Sequence, residues 1–311
     1  MKQSHLQCMR PSHGRATGIA TGIVMLMATW SGAVFADATL ITVKASAIHP
    51  TQPAIGKAEV AYDLAHYRQK SRALFDDFCK GEGAGKVADF SDSSTLAIAT
   101  SFRCAKPAGA QPDAVKSAVI APDGQVYLTD GHHTVSALRA STPDSDITLS
   151  LRITDDLRHL SSMAVFWDYM QQHHLVWLEG STGKIAPQEL PTQVGIDVMQ
   201  DDPYRSVLYF LRGIAYERPE PSPPFLEFYL GAWLKSQMAI TPADTATQQA
   251  YFALLQKAAQ LLVQASPQTH TLPNSASPTL SQLGQLSEVN HKKLNKLNNP
   301  DGKLALLYSK P

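Results

Sequence analysis

The sequence predicts an α+β protein: a small mixed-sheet α/β unit at 37–156 followed by a helical part at 157–265. Three observations predict it. β-branched and alternating apolar runs are confined to the first half. Apolar residues recur at helical spacing through most of 157–265. Proline, glycine and Ser/Thr clusters separate these segments.

The N-terminal residues read as an address. Lys2, Arg10 and Arg15 precede an uncharged apolar run from Ile19 to Phe35, and Val34 and Ala36 stand at positions −3 and −1 of a cut after Ala36. This is the layout of a cleaved secretory signal peptide, so 1–36 are set apart from the fold. The remaining 275 or so residues are enough for a sizeable core.

Leu40-Ile41-Thr42-Val43-Lys44 reads as a strand, and His49-Pro50-Thr51-Gln52-Pro53 ends it. Val60, Leu64, Tyr67, Leu74, Phe75 and Phe78 predict a helix from Gly56 to about Phe78, which Gly81–Gly85 closes. Those glycines lack the spacing and the Ser/Thr of a phosphate-binding loop. Residues 91–101 and 106–113 read as loop and weak strand. Val115–Ala121 and Val126–Thr129 are strands joined by the turn Pro122-Asp123-Gly124. A helix then begins at His132-His133, and Ile147–Thr154 alternates as a further strand. Helices are expected at about 159–173, 187–199, 204–215, 225–238 and 247–264. Ser266–Pro278 reads as a linker and 280–297 as a last amphipathic helix, so 266–311 is expected to be linker and tail.

Charge and cysteine usage narrow the functions. The leader holds three of the 27 Lys and Arg and none of the 27 Asp and Glu, leaving 24 against 27, a net charge of about −3. That balance disfavours tight nonspecific binding of duplex DNA, which rests on Lys and Arg neutralising phosphates. Cys79 and Cys104 remain, an even count expected to form a structural disulfide in an exported chain, with two free thiols as the alternative.

The segment Asp130-Gly131-His132-His133-Thr134 is the leading candidate site. It places two imidazoles at a helix start, where free N–H groups and a partial positive charge favour an anion. Asp130 is positioned to cap the turn or orient a ring, and Gly131 to take a positive φ. A helix start also disfavours imidazolium, keeping a histidine able to act as base or ligand. Asp202 before Pro203 reads first as a helix cap, and Arg205 one turn later as a phosphate clamp. Thr51, Gln52 and Lys57 belong to a loop expected to line the site. His173-His174 closes a helix and receives no catalytic role.

Ile48-His49-Pro50-Thr51-Gln52, Ala121-Pro122-Asp123-Gly124, Tyr127–Thr134, Phe166-Trp167 with Met170, Asp201-Asp202-Pro203-Tyr204-Arg205-Ser206 and Glu227-Phe228 together resemble the ParB-like nuclease family of the ParB/sulfiredoxin superfamily, over roughly 40–240. The resemblance implies a small mixed sheet with a helix-start phosphate site. The turn departs from sulfiredoxins in having no cysteine and from partition proteins in lacking Glu-Arg-Arg. Sulfinic-acid reduction and chromosome partitioning are therefore not implied.

The expected function is that of an exported nuclease or phosphodiesterase. His132 or His133 would activate water, Asp130 would orient a histidine, and Arg205 would stabilise phosphoryl charge. Gly131, Thr134, Thr51, Gln52 and Lys57 would seat the phosphate. A divalent metal ion is the expected cofactor, with His132, Asp130 and Asp202 as candidate ligands. A nucleotide-dependent phosphotransferase and a non-catalytic anion- or nucleotide-binding module are the alternatives. The expected partner is nucleic acid or a small phosphorylated ligand, with no stable membrane insertion once the leader is removed.

Overall fold

The computed structural model describes residues 39–309 apart from 181–182 and 274–275. The expected leader and its cleavage point lie outside the described residues. The chain runs β1 (Thr39–Lys44), β2 (Ile48–Pro50), β3 (Ala54–Ile55), α1 (Lys57–Gln69), α2 (Ser71–Gly81), β4 (Val87–Asp89), β5 (Arg103–Cys104), β6 (Ser117–Ile120), β7 (Val126–Leu128), α3 (His132–Ala140) and β8 (Thr148–Asp156). It continues through α4 (Met163–Gln172), β9 (Glu179–Gly180), β10 (Gly183–Lys184), β11 (Gln200–Asp201), α5 (Pro203–Leu211), α6 (Leu226–Gln237), α7 (Gln248–Gln264), α8 (His291–Leu297) and α9 (Lys303–Leu307). The fold is α+β, as the patterning predicts.

Five strands form a mixed sheet in the order β1-β8-β6-β7-β2. The β1/β8 and β6/β7 pairs are antiparallel, and β6/β8 and β2/β7 are parallel. Period-two alternation divides its two faces. Val126 and Leu128 join Leu149, Leu151 and Ile153 in a core with residues of α1, α2 and α3. Val119 and Tyr127 pack against Phe166, Trp167 and Met170 of α4. Helices α5, α6 and α7 enclose a separate core around Leu208, Leu211, Leu230, Leu234, Leu254 and Leu255. Among the described residues no helix is long and apolar enough to cross a membrane.

Three segments depart from the local reading. The helix expected from Gly56 to Phe78 is two helices, because Lys70 leaves helical geometry at φ −138°, ψ 88°. After this break Phe75 and Cys79 enter the sheet core, and the Tyr67 hydroxyl donates to Asp77 at 3.0 Å. The helix expected at 187–199 is absent beyond one short turn at Pro187–Glu189. There the backbone bonds outward instead: Val194 N–H donates to the Ile48 carbonyl, and the Arg139 guanidinium donates to the Val194 carbonyl. These tertiary bonds take groups that a helical ladder would have used.

The segment read as linker and tail contributes Leu280, Leu283, Leu294, Leu297 and Leu304 to the helical core. The Gln285 side chain donates to the carbonyls of Leu262 and Ala265 at the end of α7, at 2.6 and 2.8 Å. Cys79 and Cys104 are joined in a disulfide that ties α2 to β5.

Candidate functional site

The site is built on the turn between β7 and α3. Thr129 N–H and Asp130 N–H both donate to the Ser117 carbonyl, which bends the chain off the sheet. Gly131 completes the bend at φ +98°, a region that L side chains rarely adopt, and a Cβ there would lie 2.6 Å from Lys116 side-chain carbons. No side chain caps the helix that follows. Asp130, expected to cap or to orient a ring, is instead largely exposed with its carboxylate 3.8 Å from Lys116 Nζ.

His132 and His133 point inward. His132 Nε2 accepts the backbone N–H of Thr51 at 3.1 Å, and His133 Nε2 accepts that of Gly56 at 2.9 Å. Both rings are buried, at 3 % and 9 % exposure. Accepting at Nε2 puts the ring proton of each on Nδ1. Burial lowers the His132 pKa to about 3. Burial, then Arg205 and His132, hold His133 well below the ordinary histidine range. The paired histidines therefore fasten the β2–β3 loop and the start of α1 to the start of α3. The proton-accepting role expected of them would require one of these backbone bonds to open. Thr51 strengthens the junction, its hydroxyl donating to the Leu128 carbonyl at 2.7 Å.

Arg205 lies beneath the histidines. Its Nη1 donates to Glu59 Oε2 at 2.7 Å, and Nη2 lies 3.5 Å from His133 Nδ1. Since that nitrogen carries the ring proton, the second approach is a contact rather than a hydrogen bond. Burial raises the Glu59 pKa, against the opposing pull of Arg205 and Arg212. A second buried carboxylate, Glu227, accepts from Arg212 at 2.7 Å, Arg218 Nε at 2.8 Å and the Tyr216 hydroxyl at 3.2 Å. Burial alone would raise its pKa, but Arg205, Arg218 and Arg212 bring it to about 2. Three guanidinium groups against two carboxylates leave this network cationic.

Above it opens a cleft of about 340 Å³, lined by Gln52, Asp130, Gly131, His132, His133, Arg205, Arg218 and Glu227 among others. The structure thus brings together most of the expected site residues. Gln52 is held there by its amide donating to the Ala54 carbonyl at 2.7 Å. Four expected residues lie elsewhere. Thr51 is buried behind the wall. Thr134 faces a small gap beside Glu82 and Lys116. Lys57 borders a separate groove with Tyr251 and Tyr308. Asp202 caps α5, accepting from the N–H groups of Tyr204 and Arg205 at 2.9 and 3.0 Å, and lines a third hollow.

The proposed metal ligands consequently do not converge. His132 Nε2 is engaged, Asp130 leans toward Lys116, and Asp202 caps its helix through Oδ1 and lines a different hollow. Among the described residues no group of three or more His, Cys, Asp or Glu is arranged to hold a metal ion. Residues that local reasoning missed also line the cleft, namely His174, Arg218 and Phe225. None has a motif to announce it. They arrive from the end of α4 and from the proline-rich loop before α6.

This geometry defines a class: an α+β protein with an arginine-lined cleft at an uncapped helix start on a small mixed sheet. The family described as "Putative ParB-like nuclease" matches residues 41–236, and the chain belongs to it. Among solved structures, the crystal structure of protein Atu1540 from Agrobacterium tumefaciens is similar at 19 % identity and a TM-score of 0.50, covering 72 % of this chain and 92 % of that one. That likeness concerns the fold. No curated protein matches the chain.

Proposed function

We propose that the cleft at the start of α3 binds the phosphate of a phosphodiester and that the protein is an exported nuclease-like hydrolase. One observation carries the reading: an uncapped helix start opens onto a cleft lined by Arg205 and Arg218, each held by a buried glutamate. Backbone N–H groups and guanidinium forks are the donors that a phosphoryl oxygen needs, and here they are fixed in advance. Arg218 reaches the cleft with its side chain 43 % exposed and is the arginine best placed to meet a ligand. Arg205 is committed to Glu59 and supports the field from below. The histidines set the shape of the seat by holding its two sides together. Membership of a family described as nuclease-like supports hydrolysis. The disulfide supports export, since such bonds persist in oxidising compartments.

A second reading has its own support. Both imidazoles spend their basic nitrogen on backbone N–H groups, which favours a module that binds a phosphorylated ligand without cleaving it. One assay separates the two. The chain from residue 37 and its Arg218→Ala variant are given single- and double-stranded DNA, RNA and a chromogenic phosphodiester, with Mg²⁺, Mn²⁺, Zn²⁺ or EDTA. Turnover that the variant loses supports the hydrolase. Binding without turnover supports the module. A folded protein that binds no phosphate-bearing probe defeats both.

A further inference from the structure

The groove that Lys57 borders is a hollow of about 550 Å³. It lies where the starts of α1 and α5 meet α7, α9 and the 240–245 loop. Its walls are fixed from several elements. The Tyr308 hydroxyl donates to the Thr245 carbonyl at 2.6 Å. The Tyr204 hydroxyl donates to the Met238 carbonyl at 3.0 Å and accepts the Ile240 N–H at 3.3 Å. At the start of α1 the backbone donors are spent. Gly56 N–H goes to His133, Lys57 N–H to Asp201 Oδ1 at 2.9 Å, and Ala58 N–H to Ser206 Oγ at 3.2 Å. This helix start therefore offers no anion seat, and the bonding capacity of the hollow belongs to its side chains.

Three side chains that line it have capacity unused. Tyr251 is 1 % exposed and packs edge-on against Phe210 at 5.5 Å, and among the described residues no hydrogen bond engages its hydroxyl. A buried polar group without a partner is the exception in folded proteins, and a ligand entering the hollow would supply one. Burial, then Tyr308 and Asp201, raise the Tyr251 pKa, so it stays a neutral donor. Lys57 and Asp201 bring opposite charges to the same hollow, yet among the described residues neither side chain forms an ion pair. Pro203, Ile240, Pro242 and Leu307 make much of the remaining wall apolar. A ligand with a single charge would leave one of the two wall charges unanswered. The volume suits a ligand of dipeptide size. We propose that the hollow binds a short apolar peptide with both termini free, its carboxylate on Lys57 and Tyr251, its ammonium on Asp201 and its side chains on the apolar wall. This site is separate from the cleft at α3 and does not depend on phosphate binding there.

The test is isothermal titration calorimetry with four probes: leucyl-leucine, N-acetyl-leucyl-leucine, leucyl-leucinamide and glycyl-glycine. Two temperatures are used, so that a binding enthalpy near zero at one is seen at the other. Leucyl-leucine is expected to bind about tenfold or more tightly than either capped form, the worth of one charge-assisted hydrogen bond, and more tightly than glycyl-glycine. Lys57→Met should bring leucyl-leucine down to the affinity of its amide. Asp201→Asn keeps an oxygen for the Lys57 N–H and should bring it down to that of the acetylated form. Tyr251→Phe keeps the ring and should weaken binding about two- to tenfold. All three changes conserve shape, so loss of binding in them does not reduce to loss of fold. No binding of leucyl-leucine at millimolar concentration overturns the inference. Equal binding of the free and capped peptides overturns it, and so does binding that Lys57→Met and Asp201→Asn leave unchanged.

Discussion

Replacing His132 by glutamine separates its charge from its hydrogen bond. The glutamine carbonyl can accept the Thr51 N–H that the imidazole Nε2 accepts at 3.1 Å, but it does not titrate. His132 is buried, and its pKa falls from 6.5 to about 3. With the folded value below the unfolded one, the unfolded chain binds the extra proton. The stability contributed by this group is complete above pH 6.5 and is lost as pH falls toward 3. Each pH unit inside that window removes about 1.4 kcal/mol, so the loss by pH 5 is about 2 kcal/mol, and the whole window is worth on the order of 5 kcal/mol. Urea unfolding at pH 7.5 and pH 5 measures it. At pH 7.5 the His132→Gln variant should be about 1 kcal/mol less stable than the parent through imperfect packing. At pH 5 that deficit should vanish or reverse. His133 and the carboxylates titrate in both proteins and cancel in the comparison. Parallel losses of stability in the two proteins between these pH values would refute the reasoning.

Arg205→Ala should destabilise by about 3–5 kcal/mol, because it strands Glu59 in the interior without its partner; thermal melting reads the loss. Mutation of Cys79 and Cys104 to serine opens a loop of 25 residues and should cost about 2–4 kcal/mol, measured as the shift in urea midpoint against the oxidised parent. Leu304→Ala, at a side chain with no exposure, should cost about 2–5 kcal/mol. A free tail would give no change, so chemical denaturation distinguishes the two descriptions of the C-terminal segment.

The strand–turn–helix at 126–140 was legible because it is local. Alternation names β7, one glycine marks the turn, and two histidines mark the helix start. The partners of those histidines were not legible, since Thr51 and Gly56 lie 81 and 77 residues earlier in the chain. The same distance hides the Glu59–Arg205 pair, 146 residues apart. The sequence therefore points to the place, but not to the way each imidazole is used. Apolar spacing at 187–199 resembles a helix, yet bonds to Ile48 and Arg139 decide otherwise. Leu280, Leu283 and Leu304 sit among Ser, Thr, Pro and Asn, a composition that reads as loop until the core they fill is known. Left-handed geometry at His174 and Phe225, with φ 54° and 55°, leaves no trace in composition.

The last described helix lies against the first. Lys303 of α9 holds its ammonium 4.1 Å from the Tyr209 ring centre and 5.2 Å from that of Tyr62 on α1. This sets an order of events. As the chain emerges from its N-terminal side, the sheet can pair and Cys79 can meet Cys104 as soon as β8 has appeared. The second core must wait with Leu254, Leu255 and Leu262 uncovered until Leu280 through Leu304 arrive to close it. During that interval its apolar surface is open to holdases, proteases and other copies of the chain. How long that surface stays open thus depends on the C-terminal residues, even though they stand far from the cleft in sequence.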